Sequence, residues 1–153
     1  MGREGTLKAY DLSLLLHLVG DIHQPLHCVT RVSAASPEGD DGGNGTTLTA
    51  PANLHTFWDD VLWTGQEPAP AITAIANLPV VPPALAEDLD VLHWIEESIH
   101  AAKTTAYQDP LIGNGNGPFT LTSAYEADAK TLAQQRVALA GARLAKILNE
   151  ELR

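Results

Sequence analysis

Three histidines and two aspartates stand at spacings that suit a metal ion. His17-Leu-Val-Gly-Asp21 and His55-Thr-Phe-Trp-Asp59 each place a carboxylate four residues after an imidazole, and His27 follows the first pair closely. On a helix, positions i and i+4 share a face one turn apart. An imidazole and a carboxylate stacked this way can close on one cation. Zinc takes nitrogen and oxygen ligands of this kind at about 2.0–2.2 Å. Two such pairs with a third His supply ligands for more than one zinc. An isolated pair of this type is ordinarily a solvated surface pair. Here the apolar run Leu12-Ser-Leu-Leu-Leu16 runs directly into His17, which puts that His on or beside a buried helix. Buried imidazoles and carboxylates need a partner that compensates their desolvation.

The elements that must position these residues are helical. The first helix is expected over Lys8 to Gln24. Pro25 lacks an amide donor and disfavours helical geometry in Gln24, so the helix should stop there and swing His27 off the His17/Asp21 face. Val29 to Ala50 reads as a loop, with Gly39, Gly42, Gly43 and Gly45 allowing tight turns. Asn53 is a suitable N-cap for a second helix running to Trp63. Residues 65–83 are rich in Pro and Ala, with a short helix expected at Ala71–Asn77. A third helix is expected over Pro83 to Gln108, and Gly113 to Pro118 breaks it. The last helix should span Thr122 to Leu152, with Val137, Ala140, Leu144, Ile147 and Leu148 at helical spacing. There is no internal repeat. The expected architecture is a single all-α bundle over residues 1–153, with metal ligands on facing helices.

The same residues carry a family resemblance. His17-x-x-Gly-Asp21-x-His23-Gln-Pro-Leu-His27, then Asp40-Asp41-Gly42-Gly43-Asn44, then Asn53-Leu-His55-x-x-Trp58-Asp59 resembles the zinc-dependent, single-strand-specific nucleases of the S-one/P-one type. Bacterial zinc phospholipase C is a more distant relative. Weaker blocks at Trp94-Ile-Glu-Glu97-Ser98 with Tyr107, and at Ala140 to Asn149, extend the resemblance over most of the chain.

The resemblance implies roles residue by residue. His17 would ligate one zinc of a close pair, and Asp21 would bridge that pair as the catalytic carboxylate. His27, His55 and Asp59 would hold the remaining zinc of up to three. Two-metal sites with ions about 3.5–4 Å apart clamp the attacking and leaving oxygens of a phosphodiester. The implied activity is endonucleolytic hydrolysis of single-stranded DNA or RNA to 5′-phosphorylated products, with 3′-nucleotidase action besides. Asn44 would face the substrate or serve a turn. Relatives are exported. They are also longer at the N-terminus, where a terminal Trp, two His and an Asp complete the close zinc pair. None of these has a counterpart here, since Met1 to Leu16 contains no His. The chain thus resembles the C-terminal half to two-thirds of such a nuclease, with one complete set of protein ligands. The alternatives are a zinc phospholipase C and a non-catalytic zinc-binding remnant. Helices without their neighbours should expose apolar faces and favour self-association.

Composition narrows the field. The net charge is −10, and the nine Lys and Arg form no cluster. That weighs against duplex binding through a basic patch, which relies on counterion release. It leaves room for a metal centre that carries its own positive charge and for single strands held by stacking, with Phe57, Trp58 and Trp63 nearest the motif. No apolar run reaches the ~18 residues of a membrane span. Met1 to Lys8 does not read as a signal peptide. One Cys excludes an internal disulfide, and Cys28 reads as a small buried hydrophobe. His23 reads as a structural residue orienting its neighbours, Trp58 as core, His93 and Glu97 as a surface pair, His100 as solvated, and Asp40 and Asp41 as loop carboxylates.

Overall fold

The computed structural model describes residues 3–63, 73, 76–108 and 111–151, with side chains from residue 8 onward. It is all-α. Helix α1 spans Arg3–Asp21, a 3-10 turn follows at Pro25–Cys28, and α2 spans Leu54–Asp60. The short α3 covers Pro83–Glu87, and α4 runs Val91–Ala101 into a π-helical turn at Ala102–Ala106. The long α5 spans Ser123–Glu151. Among the described residues, β-type pairing is limited to isolated bridges such as Leu48 with Phe119. Of the helix expected at Ala71–Asn77, residues 71, 72, 74 and 75 lie outside the described residues.

Helix α1 ends at Asp21 and not Gln24, α2 ends at Asp60 and not Trp63, and the expected Pro83–Gln108 helix is divided. The Pro83–Gln108 helix is two helices, because Asp88-Leu89-Asp90 supplies a new start. Asp90 accepts a hydrogen bond from the Leu92 amide at 2.9 Å, a carboxylate N-cap. Asn53 caps α2 in the same way, accepting from the Thr56 amide at 2.8 Å.

One core cluster gathers Leu26, Leu48, Leu54, Trp58, Ile112, Tyr125 and Ala129. Trp58 is 3% exposed and donates its indole N–H to the Tyr125 hydroxyl at 3.0 Å, so it serves the core. Tyr125 in turn donates to the Ala106 carbonyl at 2.7 Å. A smaller cluster joins Val19, Trp94 and Ala140, with Leu15, Ile22, Leu144 and Ile147 against it. Among the described side chains, Leu15 and Val19 of α1, with Ile22 just beyond its end, face this cluster. Tyr10, Leu12, Leu14, Leu16 and Leu18 are exposed, and so is His17. The expectation that His17 enters a core is therefore corrected. Apolar residues at nearly every second position wrap around a helix, and one neighbour covers only one side.

The inner face of α5 also departs from expectation. Val137 is exposed, whereas Arg136 and Arg143 are buried. Glu97 receives Arg143 through two hydrogen bonds, at 2.7 and 2.8 Å, and Arg136 through one at 2.8 Å. Glu97 is thus no surface partner of His93, which pairs with Asp88 at 2.9 Å. Burial pushes the Glu97 carboxyl up, but hydrogen bonds from Arg143 and Arg136 and their charges outweigh it and hold it below the usual range.

His23 closes this network. One ring nitrogen, Nδ1, meets the Val19 carbonyl at 2.7 Å and the other, Nε2, meets Arg143 Nη1 at 2.9 Å. A carbonyl only accepts, so Nδ1 carries the proton and Nε2 accepts from the guanidinium. Burial, helped by the charges of Arg136 and Arg143, pushes the imidazole down to about 4 against the pull of the Val19 carbonyl. The folded chain therefore refuses a proton that the unfolded chain accepts below about 6.5. Stability present above that pH is lost as pH falls from about 6.5 towards about 4. Urea midpoints of the metal-free chain should fall across that window, and His23→Gln should flatten the fall. An unchanged slope in the variant would contradict this.

Candidate metal centre

The end of α1 delivers His27. After Asp21 the chain turns through bonds from the Gln24 amide to the Asp21 carbonyl at 3.0 Å and from the His27 amide to the Gln24 carbonyl at 3.1 Å. Pro25 opens the 3-10 turn, and the Gln24 side chain caps it by accepting from the Leu26 amide. This reversal brings the His27 ring back to Asp21, with Nδ1 2.6 Å from Oδ1. Helix α2 delivers His55 and Asp59 from one face, with Nε2 and Oδ2 3.5 Å apart. The rings of His27 and His55 stack with centroids 5.0 Å apart.

The second nitrogen of each ring settles which atom is free. His55 Nδ1 lies 2.8 Å from the Gly42 carbonyl, so it holds the proton and leaves the Nε2 lone pair available. His27 Nδ1 is held by the Asp21 carboxylate, which points Nε2 at Asp59 Oδ1, 3.3 Å away. Gln24 Nε2 donates to that same oxygen at 2.9 Å. The ligand atoms of His27, His55 and Asp59 lie within 4.8 Å of one another. Tetrahedral bonds of about 2.1 Å set neighbouring donors about 3.4 Å apart; His27 Nε2 lies 3.3 Å from Asp59 Oδ1 and His55 Nε2 3.5 Å from Asp59 Oδ2, so the two imidazoles approach opposite oxygens of one carboxylate at about that spacing. Backbone carbonyl or carboxylate partners on the outer nitrogen are the usual companions of metal-binding imidazoles. The donor set fits zinc.

An open cleft of about 320 Å³ adjoins these groups, lined by Asp21, His27, Asp41, Gly42, Asn44 and His55. Asn44 is exposed there and donates to the Asp41 carbonyl at 2.9 Å. His17 stands exposed on α1, one turn before Asp21, and neither residue belongs to the converging three. Cys28 is half-buried, its thiol donating to the Ile22 carbonyl at 3.4 Å and pushed up by burial.

Gln24 and the Gly42 carbonyl carry no sequence signal that marks them as partners of the ligands. Gly42 has φ of +59°, and a Cβ there would sit 2.6 Å from the Leu26 carbonyl oxygen. Glycine permits that approach, and so the carbonyl reaches His55.

Two imidazoles and a carboxylate converging beside an open cleft, on an all-helical frame, define a helical protein with a candidate metal centre. A family model described as S1/P1 Nuclease matches residues 3–153, and the chain belongs to that family. Endonuclease 4 of Arabidopsis thaliana is 31% identical over 161 residues, covering 90% of this chain and 49% of that protein. The chain thus spans about half the length of this curated relative. No solved structure matches it.

Proposed function

We propose that this chain carries the zinc-binding part of a phosphodiester hydrolase that cuts single-stranded DNA or RNA to 5′-phosphorylated products in an exported setting. The convergence of His27 Nε2, His55 Nε2 and the Asp59 carboxylate beside the cleft carries the reading. Family membership supports the reaction class. His27, His55 and Asp59 would hold one zinc. Asp21 keeps His27 oriented, and with His17 one turn earlier it offers ligands for the close pair. Bound zinc supplies Lewis acidity at a phosphodiester oxygen and a water with pKa lowered to about 7. Among the described residues, the cleft lining includes no Lys or Arg, so the attraction of this lining for phosphate depends on a bound cation. Asn44 meets the sugar or base of the strand. Among the described residues, no helix is long and apolar enough to cross a membrane.

The test is digestion of a single-stranded oligonucleotide by zinc-loaded chain, with the matching duplex and a phosphatidylcholine vesicle as alternative substrates. Cleavage of the single strand to 5′-phosphate ends, lost with a chelator, is expected. Asp21→Asn should slow it by about 10–100-fold, the range for losing a partner of a metal-bound imidazole. Background zinc content, or equal rates for wild type and variant, would reject the assignment. One bound zinc without turnover would mark a binding remnant, and lipid turnover instead would mark a phospholipase.

A further inference from the structure

Asp40 and Asp41 are neighbours in one glycine-rich loop with opposite fates. Asp41 is exposed. Asp40 is 1% exposed, and its carboxylate is a hub. Oδ1 accepts from the Arg31 amide at 2.8 Å, the Tyr107 hydroxyl at 3.0 Å and the Gly43 amide at 3.3 Å. Oδ2 accepts from the Thr46 hydroxyl at 2.9 Å, with Arg31 Nε 3.5 Å away. The Asp40 backbone carbonyl accepts from the amides of Gly43 and Gly45, at 3.1 and 2.8 Å. The Arg31 guanidinium is itself tied to the Gly113 carbonyl at 2.8 Å and stacks over the Tyr107 ring, 4.6 Å from its centre. Arg31, Gly43 and Thr46 of the loop and Tyr107, just after the π-helical turn, therefore meet at one carboxylate, and Arg31 ties it on to the Gly113 carbonyl.

One branch of this hub leads to His55. The turn Asp40 closes contains Gly42, whose carbonyl accepts a hydrogen bond from His55 Nδ1–H. The Gly43 carbonyl also accepts from the Thr46 amide at 3.1 Å. Without the carboxylate, four donors would lose their common acceptor, and a turn with φ of 51° at Asp41 and 59° at Gly42 would lose its restraint. Non-glycine residues at positive φ persist only where the surroundings over-determine them.

We propose that Asp40 is a positioning residue of the metal centre: through the Asp41–Gly42 turn it fixes the orientation and tautomer of His55, so that Nε2 stays free for a cation. The proposal rests on the zinc-site reading above for its consequence, but the tautomer itself is a property of the metal-free chain. Asp40 touches neither substrate nor metal.

The experiment uses Asp40→Asn, which keeps shape but removes charge, and the milder Tyr107→Phe, which removes one donor. Three quantities are read: far-UV circular dichroism for folding, zinc affinity by chelator competition, and the His55 tautomer by nitrogen-15 NMR in the metal-free chain above pH 8. In wild type His55 should be the pure Nδ1–H tautomer. In folded Asp40→Asn it should become a mixture, and zinc affinity should drop by about 10–100-fold. Tyr107→Phe should show the same change in smaller measure, and it decides the matter if Asp40→Asn does not fold. A folded variant with unchanged tautomer and affinity within about twofold of wild type overturns the proposal. If wild type binds no zinc, the hydrolase reading fails, while the tautomer comparison still decides the role of Asp40.

Discussion

His55→Ala should lower zinc affinity by at least about 100-fold, because it removes one of the converging donors outright, whereas losing a partner of a bound imidazole alone costs about 10–100-fold. The remaining donors, His27 Nε2 and the Asp59 carboxylate, stand 3.3 Å apart and number two, one fewer than the three protein ligands of an open tetrahedral zinc site. The fold should survive, since the His55 side chain is 21% exposed and α2 is held by its Asn53 cap and by buried Leu54 and Trp58. The loss then belongs to the site and not to unfolding. His93→Ala is the control. That ring also has carboxylates nearby, Asp88 at 2.9 Å and Asp90 at 3.9 Å, but it is 57% exposed and lies outside the converging group. Calorimetric zinc titration of both variants should separate them clearly. Equal affinities would mean that zinc binds elsewhere on this acidic chain.

Much of this frame could be read in the residues. Pro25 marks where the chain turns, although α1 already ends at Asp21 and Pro25 opens a 3-10 turn; Asn53 caps α2, and the glycines of 39–45 mark the loop that supports His55. Each is a short-range effect of one residue type on its own backbone. The Asp90 cap was legible in principle, as an Asp directly before the apolar start Val91-Leu-His-Trp94. What could not be read depends on distant pairing. Arg136 and Arg143 fall in a helix whose charges suggest a wet face, and their burial follows only once Glu97, 39 and 46 residues away, lies opposite. Asp40 and Asp41 have nearly the same local sequence. Which one turns inward is decided by Thr46, Arg31 and Tyr107, up to 67 residues off. At the site, the helical spacing of His55 and Asp59 was visible. The contact of His27 with Asp21 required the turn after α1 to be built first.

The largest stability effect is expected from Arg143→Met. The guanidinium is fully buried and donates to the Leu85 carbonyl at 3.1 Å, to His23 Nε2 at 2.9 Å and twice to Glu97. It also lies 5.1 Å from the centre of the Trp94 ring. Methionine keeps much of the apolar stem but none of the donors. Glu97 then retains only Arg136, and His23 Nε2 retains no donor in a buried place. Breaking a fully buried ion pair from one side costs about 3–5 kcal/mol; Glu97 is 27% exposed and keeps its bond from Arg136, which places the loss at the lower end of that range. For a domain with total stability of about 5–15 kcal/mol, that is a large share. Urea unfolding of the metal-free chain should show the lowered midpoint. Arg143→Met combined with Glu97→Gln should recover part of the loss, since a neutral amide suffers less from the missing cation. A positive coupling between the two sites measures the pair itself. A single variant within about 1 kcal/mol of wild type would mean that water or a shifted Arg136 satisfies Glu97. The network also bears on the metal centre. Arg136 Nε donates to the His23 carbonyl at 3.1 Å and Ser98 to the Ile22 carbonyl at 2.6 Å, so the same buried charges hold the chain between Asp21 and His27.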